Sequence, residues 1–87
     1  MYLHLGQSVV IRHKDIIGIF DLDNASWSHR TRSFLERAEQ EGRVISATRD
    51  LPTSFVVCRE KDGQSRIYLS QFSSATLKSR VETGWME

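Results

Sequence analysis

The chain has little of the residues and segments that make cross-links, kinks or membrane spans. Its 87 residues include one cysteine and one proline. The single cysteine, Cys58, excludes an intramolecular disulfide and fits a reducing compartment. No apolar run approaches the roughly 20 residues of a membrane-spanning helix, and the N-terminus has no cationic region followed by a long apolar core, as a signal peptide would have. These absences predict a cytoplasmic protein that does not enter a membrane.

An excess of charge of one sign is missing too. The 12 basic and 11 acidic residues give a net charge of +1, which by itself does not indicate a nucleic-acid partner. Evidence for such a partner would have to come from basic residues that cluster together. The contents of hydrophobic residues, 39%, and of charged residues, 26%, are those of an ordinary globular protein. At this length the chain forms one domain, whose folding buries only about 60–65% of the surface of the unfolded chain. Because such a core is thin, packing against further copies of the chain is an option.

Sequence patterns of catalysis, cofactor binding and metal binding are absent as well. The chain has no glycine-rich phosphate loop, no GxSxG motif and no paired carboxylates of an acid–base site. Its 3 histidines are scattered, without the short spacing of metal ligands, and Cys58 lies in an apolar strand pattern that is typical of a core residue. We therefore predict no enzymatic activity, no metal ion, no cofactor and no small-molecule substrate.

What is present is a series of short apolar runs of strand type, rich in isoleucine and valine or alternating with polar residues. The first half of the chain contains three of them, at residues 2–5, 8–12 and 16–20. Gly18, inside the third run, predicts a bulge or a close backbone approach. After a loop, a helix is predicted at about residues 29–41, and Gly42 suits the left-handed position that ends a helix.

The second half of the chain predicts three more strands and a short helix. Residues 43–48 form the first strand, while residues 54–60 and 65–70 form a hairpin around Asp62 and Gly63, a strong turn signal. A short helix follows at residues 75–81, capped by Ser73 or Ser74. Residues 83–87 are expected to be a C-terminal tail.

These elements predict a single α+β domain over residues 1–82, in the order β-β-β-α-β-β-β-α. Its centre is a small antiparallel or mixed sheet of about six strands, with one main helix and a short C-terminal helix. A helix of about twelve residues is only about 18 Å long and cannot cover both faces of such a sheet. An apolar face of the sheet therefore needs another partner, and self-association supplies one.

Basic residues cluster where strands and the helix begin or end. Arg12, His13 and Lys14 form a connection between two strands, where lysine or arginine contacts to phosphates would add salt-dependent affinity without base specificity. Arg30 and Arg32 open the helix, where the helix dipole disfavours cations, so an anion or an acidic partner would explain their placement. The alternative for both clusters is that these residues are ordinary surface charges in contact with solvent and bind no partner.

Two tryptophans, Trp27 and Trp85, lie outside the strand patterns on segments expected at the surface. Aromatic residues are enriched at interfaces between proteins. We predict that both tryptophans lie in a subunit interface, and the alternative is packing within one chain.

Four segments of the chain resemble the RemA/RemB family of bacterial extracellular matrix regulators. They are MYLHLG at the start, then DIIGIFD, TSFVV and SSATLKSR, and the resemblance extends over about residues 1–81. It implies a small cytoplasmic bacterial protein. RemA proteins activate biofilm matrix genes and assemble into rings whose arginines contact the phosphate backbone of DNA, so that many weak contacts add up by avidity.

The arginines implied by this resemblance map onto other residue types here. The position just before the strand at 16–20 is Asp15, and an adjacent arginine pair in the turn before the strand at 54–60 falls on Leu51 and Pro52, with Arg49 nearby. DNA contact is therefore predicted at the neighbouring basic residues. These are Arg12, His13, Lys14, Arg30, Arg32 and Arg49.

Two hypotheses of function follow. The first is a non-enzymatic transcription regulator of the biofilm extracellular matrix, which forms a homo-oligomer, with a ring as one form, and binds the backbone of double-stranded DNA. The second is an oligomeric scaffold or protein-interaction protein without direct DNA binding, which the near-neutral charge favours. A continuous basic rim would support the first hypothesis, and interspersed carboxylates would support the second.

Overall fold

A computed structural model describes residues 1–22 and 29–82, which form six strands and two helices. The strands are β1 (Tyr2–Gly6), β2 (Val9–Arg12), β3 (Ile16–Asp21), β4 (Val44–Ser46), β5 (Ser54–Arg59) and β6 (Ser65–Ser70). The helices are α1 (His29–Gln40) and α2 (Ser74–Glu82). The α+β class and the order of the elements are as predicted. Trp27, Trp85 and the expected tail at 83–87 lie outside the described residues.

The strands form two sheets, and our prediction of one sheet with about six strands was wrong. β1 and β2 make an antiparallel two-stranded ribbon, and the other four strands make a mixed sheet in the order β3-β5-β6-β4. Only β4 runs parallel to its neighbour, β6. Gln7 and Ser8, with φ of 50° and 65°, fold β2 tightly back onto β1. A turn of 3-10 helix at His13–Asp15 then redirects the chain before β3, which separates the ribbon from the larger sheet.

The four-stranded sheet lies between two layers, and each of its faces carries part of the core. On one face it packs against the ribbon and α2, in a cluster of Leu3, Leu5, Ile11, Ile19, Ala47, Val56, Cys58 and Leu77. On the other face it packs against α1, in a cluster of Ala38, Phe55, Val57 and Ile67. β5 contributes to both clusters, and its residues 54–58 are all buried. Phe55 and Val57 lie in the second cluster and Val56 and Cys58 in the first, and the predicted core position of Cys58 is confirmed.

The edge strand β3 is irregular near its start. Its register against β5 shifts between Ile16 and Gly18, which confirms the bulge predicted at Gly18. Ile17 is the extra residue of this bulge, and 57% of its surface is exposed. A bulge increases the local twist and turns side chains away from the regular alternation, so Ile17 faces outward although it belongs to an apolar strand.

Two contacts hold the ribbon against the larger sheet. The buried Ser70 hydroxyl donates a hydrogen bond of 2.9 Å to the carbonyl of Leu5, and it accepts one of 3.1 Å from the N–H of Phe72. Gly6 has a φ of 114°, and a Cβ atom there would lie 2.8 Å from the carbonyl oxygen of Ala47. Only glycine combines this backbone conformation with so close an approach, so Gly6 lets the ribbon reach the end of β4.

The predicted ends of the helices and of the hairpin are also found. Gly42 has a φ of 73° and ends α1, and the Ser73 hydroxyl accepts a hydrogen bond from the N–H of Thr76 at the start of α2. Gly63, with a φ of 86°, forms the tip of the β5–β6 hairpin. In the part of the chain that is described, neither helix is long and apolar enough to cross a bilayer.

The Ser70 contact gives a test of how the ribbon is anchored. Ser70→Ala removes the hydroxyl and leaves the Leu5 carbonyl and the Phe72 N–H without their partner in a buried place, so we expect the free energy of unfolding to fall by about 1–3 kcal/mol. Chemical denaturation measures this change. Ser33→Ala, which removes an exposed hydroxyl from α1, is the control and should change stability by less than about 0.5 kcal/mol. Equal stabilities of the two variants would contradict the anchoring role.

Candidate basic cleft and apolar groove

The predicted basic residues lie at two ends of the four-stranded sheet. β3 begins opposite Cys58, at the end of β5, and finishes opposite Ser54, at the start of β5. The Arg12–Lys14 connection precedes β3, whereas the loop that carries Arg49 precedes β5. Five residue steps along a strand span about 17 Å. The two basic regions are therefore at opposite ends, and one phosphate cannot contact both within a single protomer.

The three residues of the first basic connection have different environments. The Arg12 guanidinium donates a 2.8 Å hydrogen bond to the Asp15 carboxylate, which forms an ion pair across the 3-10 turn. The Nε2 atom of His13 is buried and has no hydrogen-bond partner among the described residues, so it cannot reach a phosphate. Lys14 is exposed, and no ion pair of Lys14 occurs in the described parts of the chain. Of this connection, Arg12 and Lys14 remain the residues that can face an anion.

The other predicted basic residues do not join that connection. Arg30 and Arg32 are exposed near the start of α1, and Arg30 lines an apolar groove beside β3. Arg49 is exposed in the loop at the other end of the sheet. The predicted residues therefore form no single continuous basic rim on one protomer.

The structure instead brings Arg12 together with three cations that the sequence analysis missed. They lie at the end of the β5–β6 hairpin and surround an open cleft of about 410 Å³. The residues that line this cleft, hereafter the basic cleft, are Arg12, Asp15, Arg59, Glu60, Lys61, Asp62 and Arg66. The signal that could have found them is the hairpin register. Arg66 pairs with Cys58, and Cys58 also pairs with Ile16, so the hairpin cations lie next to the start of β3.

Each carboxylate of the basic cleft already has a partner. Asp15 is paired with Arg12, Glu60 lies 3.5 Å from the guanidinium of Arg66, and Asp62 accepts a hydrogen bond from the backbone N–H of Gln64. Arg59 and Lys61 are exposed, and within residues 1–22 and 29–82 they form no ion pair. Exposed ion pairs contribute little to stability, so Arg12 and Arg66 can also turn toward an incoming anion. The cleft therefore offers two unpaired cations and two exchangeable ones.

A smaller open pocket of about 170 Å³ lies next to the basic cleft and shares Arg12, Asp15 and Glu60 with it. Its other lining residues are Val10, Ile11, Cys58 and Tyr68.

Burial, with a contribution from the negative charge of Glu60, raises the pKa of the Cys58 thiol from 9.0 to about 12. The same two causes raise the pKa of the Tyr68 hydroxyl above 10.0. Both groups therefore keep their protons at neutral pH. Cys58 is not a nucleophile there, because thiolates carry that reactivity.

On the α1 side of the sheet, an apolar groove of about 470 Å³ remains open beside β3. Its apolar lining, hereafter the β3 groove, consists of Ile17, Phe20, Phe34, Phe55 and Val57. Phe20 and Phe55 stack with their ring centroids 5.1 Å apart. β3 is an edge strand, paired with β5 on one side only. α1 therefore leaves part of this apolar sheet face exposed. The opposite face, which one helix was expected to leave without a partner, is covered by the ribbon and α2.

The described residues contain no cluster of three or more histidine, cysteine, aspartate or glutamate side chains that would hold a metal ion. At the basic cleft, the arginine and lysine side chains supply charge–charge contacts and hydrogen-bond donors. Arginine suits phosphate because its planar guanidinium forms two parallel hydrogen bonds with it.

The raised pKa of Cys58 predicts a pH dependence of stability. Between pH 9.0 and about 12 the unfolded chain releases the thiol proton while the folded chain keeps it, so the free energy of unfolding falls as the pH rises. At pH 10 the expected loss relative to pH 8 is about 1.4 kcal/mol. Urea denaturation of the native protein and of Cys58→Val at both pH values isolates this contribution. The difference in free energy of unfolding between the two proteins should be about 1.4 kcal/mol smaller at pH 10 than at pH 8. Parallel pH profiles of the two proteins would show that the Cys58 thiol does not cause the loss of stability.

Comparison with known proteins tests the family resemblance that four segments of the sequence show. Residues 2–81 match the family described as RemA-like, Extracellular matrix regulatory protein A-like. The chain is also 38% identical over 82 residues to Extracellular matrix regulatory protein B of Bacillus subtilis (strain 168), a match that covers 94% of this chain and 91% of that relative. The family match at residues 2–81 includes all six strands, the whole of α1 and all of α2 except Glu82. The chain therefore belongs to the RemA-like family.

Proposed function

We propose that this chain is a non-enzymatic cytoplasmic regulator of the bacterial extracellular matrix, and hence of biofilm formation, that acts as a homo-oligomer bound to the phosphate backbone of DNA. Membership in a family named for extracellular matrix regulation supports the regulatory role. The observation that carries the DNA contact is the gathering of Arg12, Arg59, Lys61 and Arg66 around one cleft. Lysine and arginine contacts to phosphate supply affinity that does not depend on base sequence.

The basic cleft also accounts for the residue at position 15. The family resemblance implies an arginine there, and this chain has Asp15, whose carboxylate is neutralised by Arg12 at 2.8 Å. Asp15 lines the same cleft as Arg59 and Lys61. The positive charge that is missing at position 15 is thus replaced by the hairpin at the same end of the sheet. A phosphate contact at this end therefore does not require an arginine at position 15.

Self-association is supported by two exposed apolar patches on opposite sides of the molecule. One is the β3 groove, on the α1 side. The other consists of Tyr2 and Val10, which are 48% and 42% exposed on the side of the ribbon opposite the buried Leu3 and Ile11. Such patches are typical of protein interfaces. Because the patches differ, a contact between the groove of one copy and the ribbon of the next is head-to-tail, and head-to-tail contacts generate rings or filaments.

Head-to-tail assembly also compensates for the separation of the basic regions. Within one protomer the basic cleft and Arg49 lie at opposite ends of the four-stranded sheet. Repeated copies present many such cations along one DNA molecule. Individually weak phosphate contacts then add up, since each further contact is made at a high effective concentration.

The DNA contact predicts a specific loss of binding. The double variant Arg59→Gln/Lys61→Gln removes the two unpaired cations of the cleft, so we expect weaker binding of duplex DNA and a salt dependence reduced by about two phosphate contacts per protomer. Fluorescence anisotropy with a labelled duplex, at about 50 and 200 mM salt, measures both. The control Arg37→Gln/Lys78→Gln removes the same charge from exposed positions of α1 and α2 and should bind more tightly than the cleft variant. Absence of binding by the native protein at the lower salt concentration would reject the DNA contact.

The oligomer predicts an effect of charge in the β3 groove. Ile17→Glu places a carboxylate at the exposed bulge of β3, where we expect it to block apolar contact and to shift the protein to the monomer, because burying an unpaired charge is costly. Analytical ultracentrifugation measures the mass in solution. Leu51→Glu, at an apolar residue that is 88% exposed and outside the groove, is the matched control and should assemble like the native protein. A monomeric native protein at high concentration would rule out the assembly itself.

The second candidate function is an oligomeric scaffold that contacts proteins and not DNA. The observation that favours it is the alternation of charge in the basic cleft, where Asp15, Glu60 and Asp62 lie among the four cations. A defined oligomer without affinity for duplex DNA at low salt would select this function over the first.

A further inference from the structure

The β3 groove combines a large apolar surface with a single charge. It joins two buried core residues, Phe55 and Val57, to three exposed apolar residues of β3 and α1. In the part of the chain that the structure describes, Arg30 is the only charged residue of the lining. The volume of about 470 Å³ falls within the range of about 300–1,000 Å³ that is usual for ligand pockets. An occupant of this groove therefore needs large apolar side chains next to one negative charge.

The chain itself contains a segment of that composition directly after α2. Residues 83–87, which lie outside the described residues, have the sequence Thr-Gly-Trp-Met-Glu. Trp85 and Met86 are adjacent apolar side chains, and Glu87 follows them with a carboxylate. The groove presents three phenylalanine rings, and both aromatic pairs and contacts of methionine sulfur with aromatic rings are favourable. The charge of Glu87 complements that of Arg30.

The position of α2 favours the groove of a neighbouring copy over the groove of the same chain. Val81, one residue before the end of α2, packs against the first core cluster, on the ribbon side of the sheet. The β3 groove lies on the α1 side. The three residue steps from Glu82 to Trp85 span at most about 11 Å, close to the spacing of about 10 Å between two packed sheets. Little of the segment is therefore left to pass the sheet edge and reach the opposite face.

We propose that residues 83–87 of one copy occupy the β3 groove of the next copy, with Trp85 and Met86 on its apolar lining and Glu87 beside Arg30. In the head-to-tail contact, the ribbon side of one copy faces the groove of the next, and the segment leaves α2 on that ribbon side. The proposal rests on the self-association in the proposed function and names the part of the neighbouring copy that fills the groove. It does not depend on the DNA contact.

Tryptophan fluorescence tests the position of Trp85. Trp27→Phe leaves Trp85 as the only tryptophan of the chain, so the emission wavelength and the quenching by acrylamide report whether Trp85 is buried. We expect blue-shifted emission and slow quenching where sedimentation shows the oligomer, and the values of an exposed tryptophan once dilution gives the monomer. Adding Ile17→Glu, in the groove, should give the exposed values at every concentration.

Two results of this measurement would contradict the proposal. Exposed values in the oligomer would show that Trp85 does not enter a groove. Buried values in the dilute monomer would place Trp85 against its own chain and not against a neighbouring copy.

Substitutions in the segment test its contribution to assembly. For Trp85→Ser/Met86→Ser, we expect the concentration at which half of the chains are assembled to rise by at least about tenfold, because burial of large apolar side chains favours association. The conservative variant Trp85→Phe/Met86→Leu should assemble at nearly the native concentration. Arg30→Glu and Glu87→Arg should each raise this concentration about two- to fivefold, the range for an exposed ion pair. The double variant that exchanges the two charges should restore it.

The outcomes separate this proposal from the proposed function. Assembly of Trp85→Ser/Met86→Ser at the native concentration would reject the proposal alone and leave the oligomer in place. A native chain that stays monomeric at high concentration would reject both. Absence of DNA binding, with Trp85 buried in the oligomer, would support the proposal and reject only the DNA contact of the proposed function.

Discussion

Burial of β5 on both faces is the constraint on which the rest of the structure depends. Residues 54–58 are buried without interruption, although the strand belongs to a sheet of only four. In a chain of this size, covering both faces of a central strand requires a layer on each side. The ribbon and α2 supply one layer, and α1 supplies the other. Because α1 has only 12 residues, the second layer is incomplete, and the exposed β3 groove follows directly from that shortage.

The same constraint separates the two regions that bear on function. The β3 groove lies on the sheet face that α1 leaves partly open, whereas the basic cleft lies at one end of the sheet, where β5 leaves the core and becomes the hairpin. Arg59 is the first exposed residue after the buried run of β5. The β3 groove and the basic cleft therefore occupy different surfaces of the domain, so a substitution in one need not disturb the other.

The element order was predictable because it rests on local signals. The isoleucine-rich run of β3, the Asp62–Gly63 turn, and Gly42 at the end of α1 each act over a few residues. The split into two sheets was not predictable, since it depends on how the short turn at His13–Asp15 directs the chain. The full set of residues around the basic cleft was not predictable for the same reason. Arg12 was recognised from its neighbours in sequence, but Arg59 and Arg66 join it only through strand pairing across the sheet.

The position of the basic cleft at a hairpin tip has an evolutionary consequence. Lys61, Asp62 and Gln64 are exposed and contribute nothing to either core cluster, so exchanging charges among them leaves stability within about 0.5 kcal/mol. Single substitutions can therefore change the charge of the basic cleft in steps that the folding of the chain does not oppose. By contrast, the residues just before β3 form a 3-10 turn, and Asp15 forms an ion pair with Arg12. An exchange of charge there would alter the local geometry. A single substitution at the hairpin can therefore add or remove a charge of the basic cleft while the turn before β3 keeps its geometry.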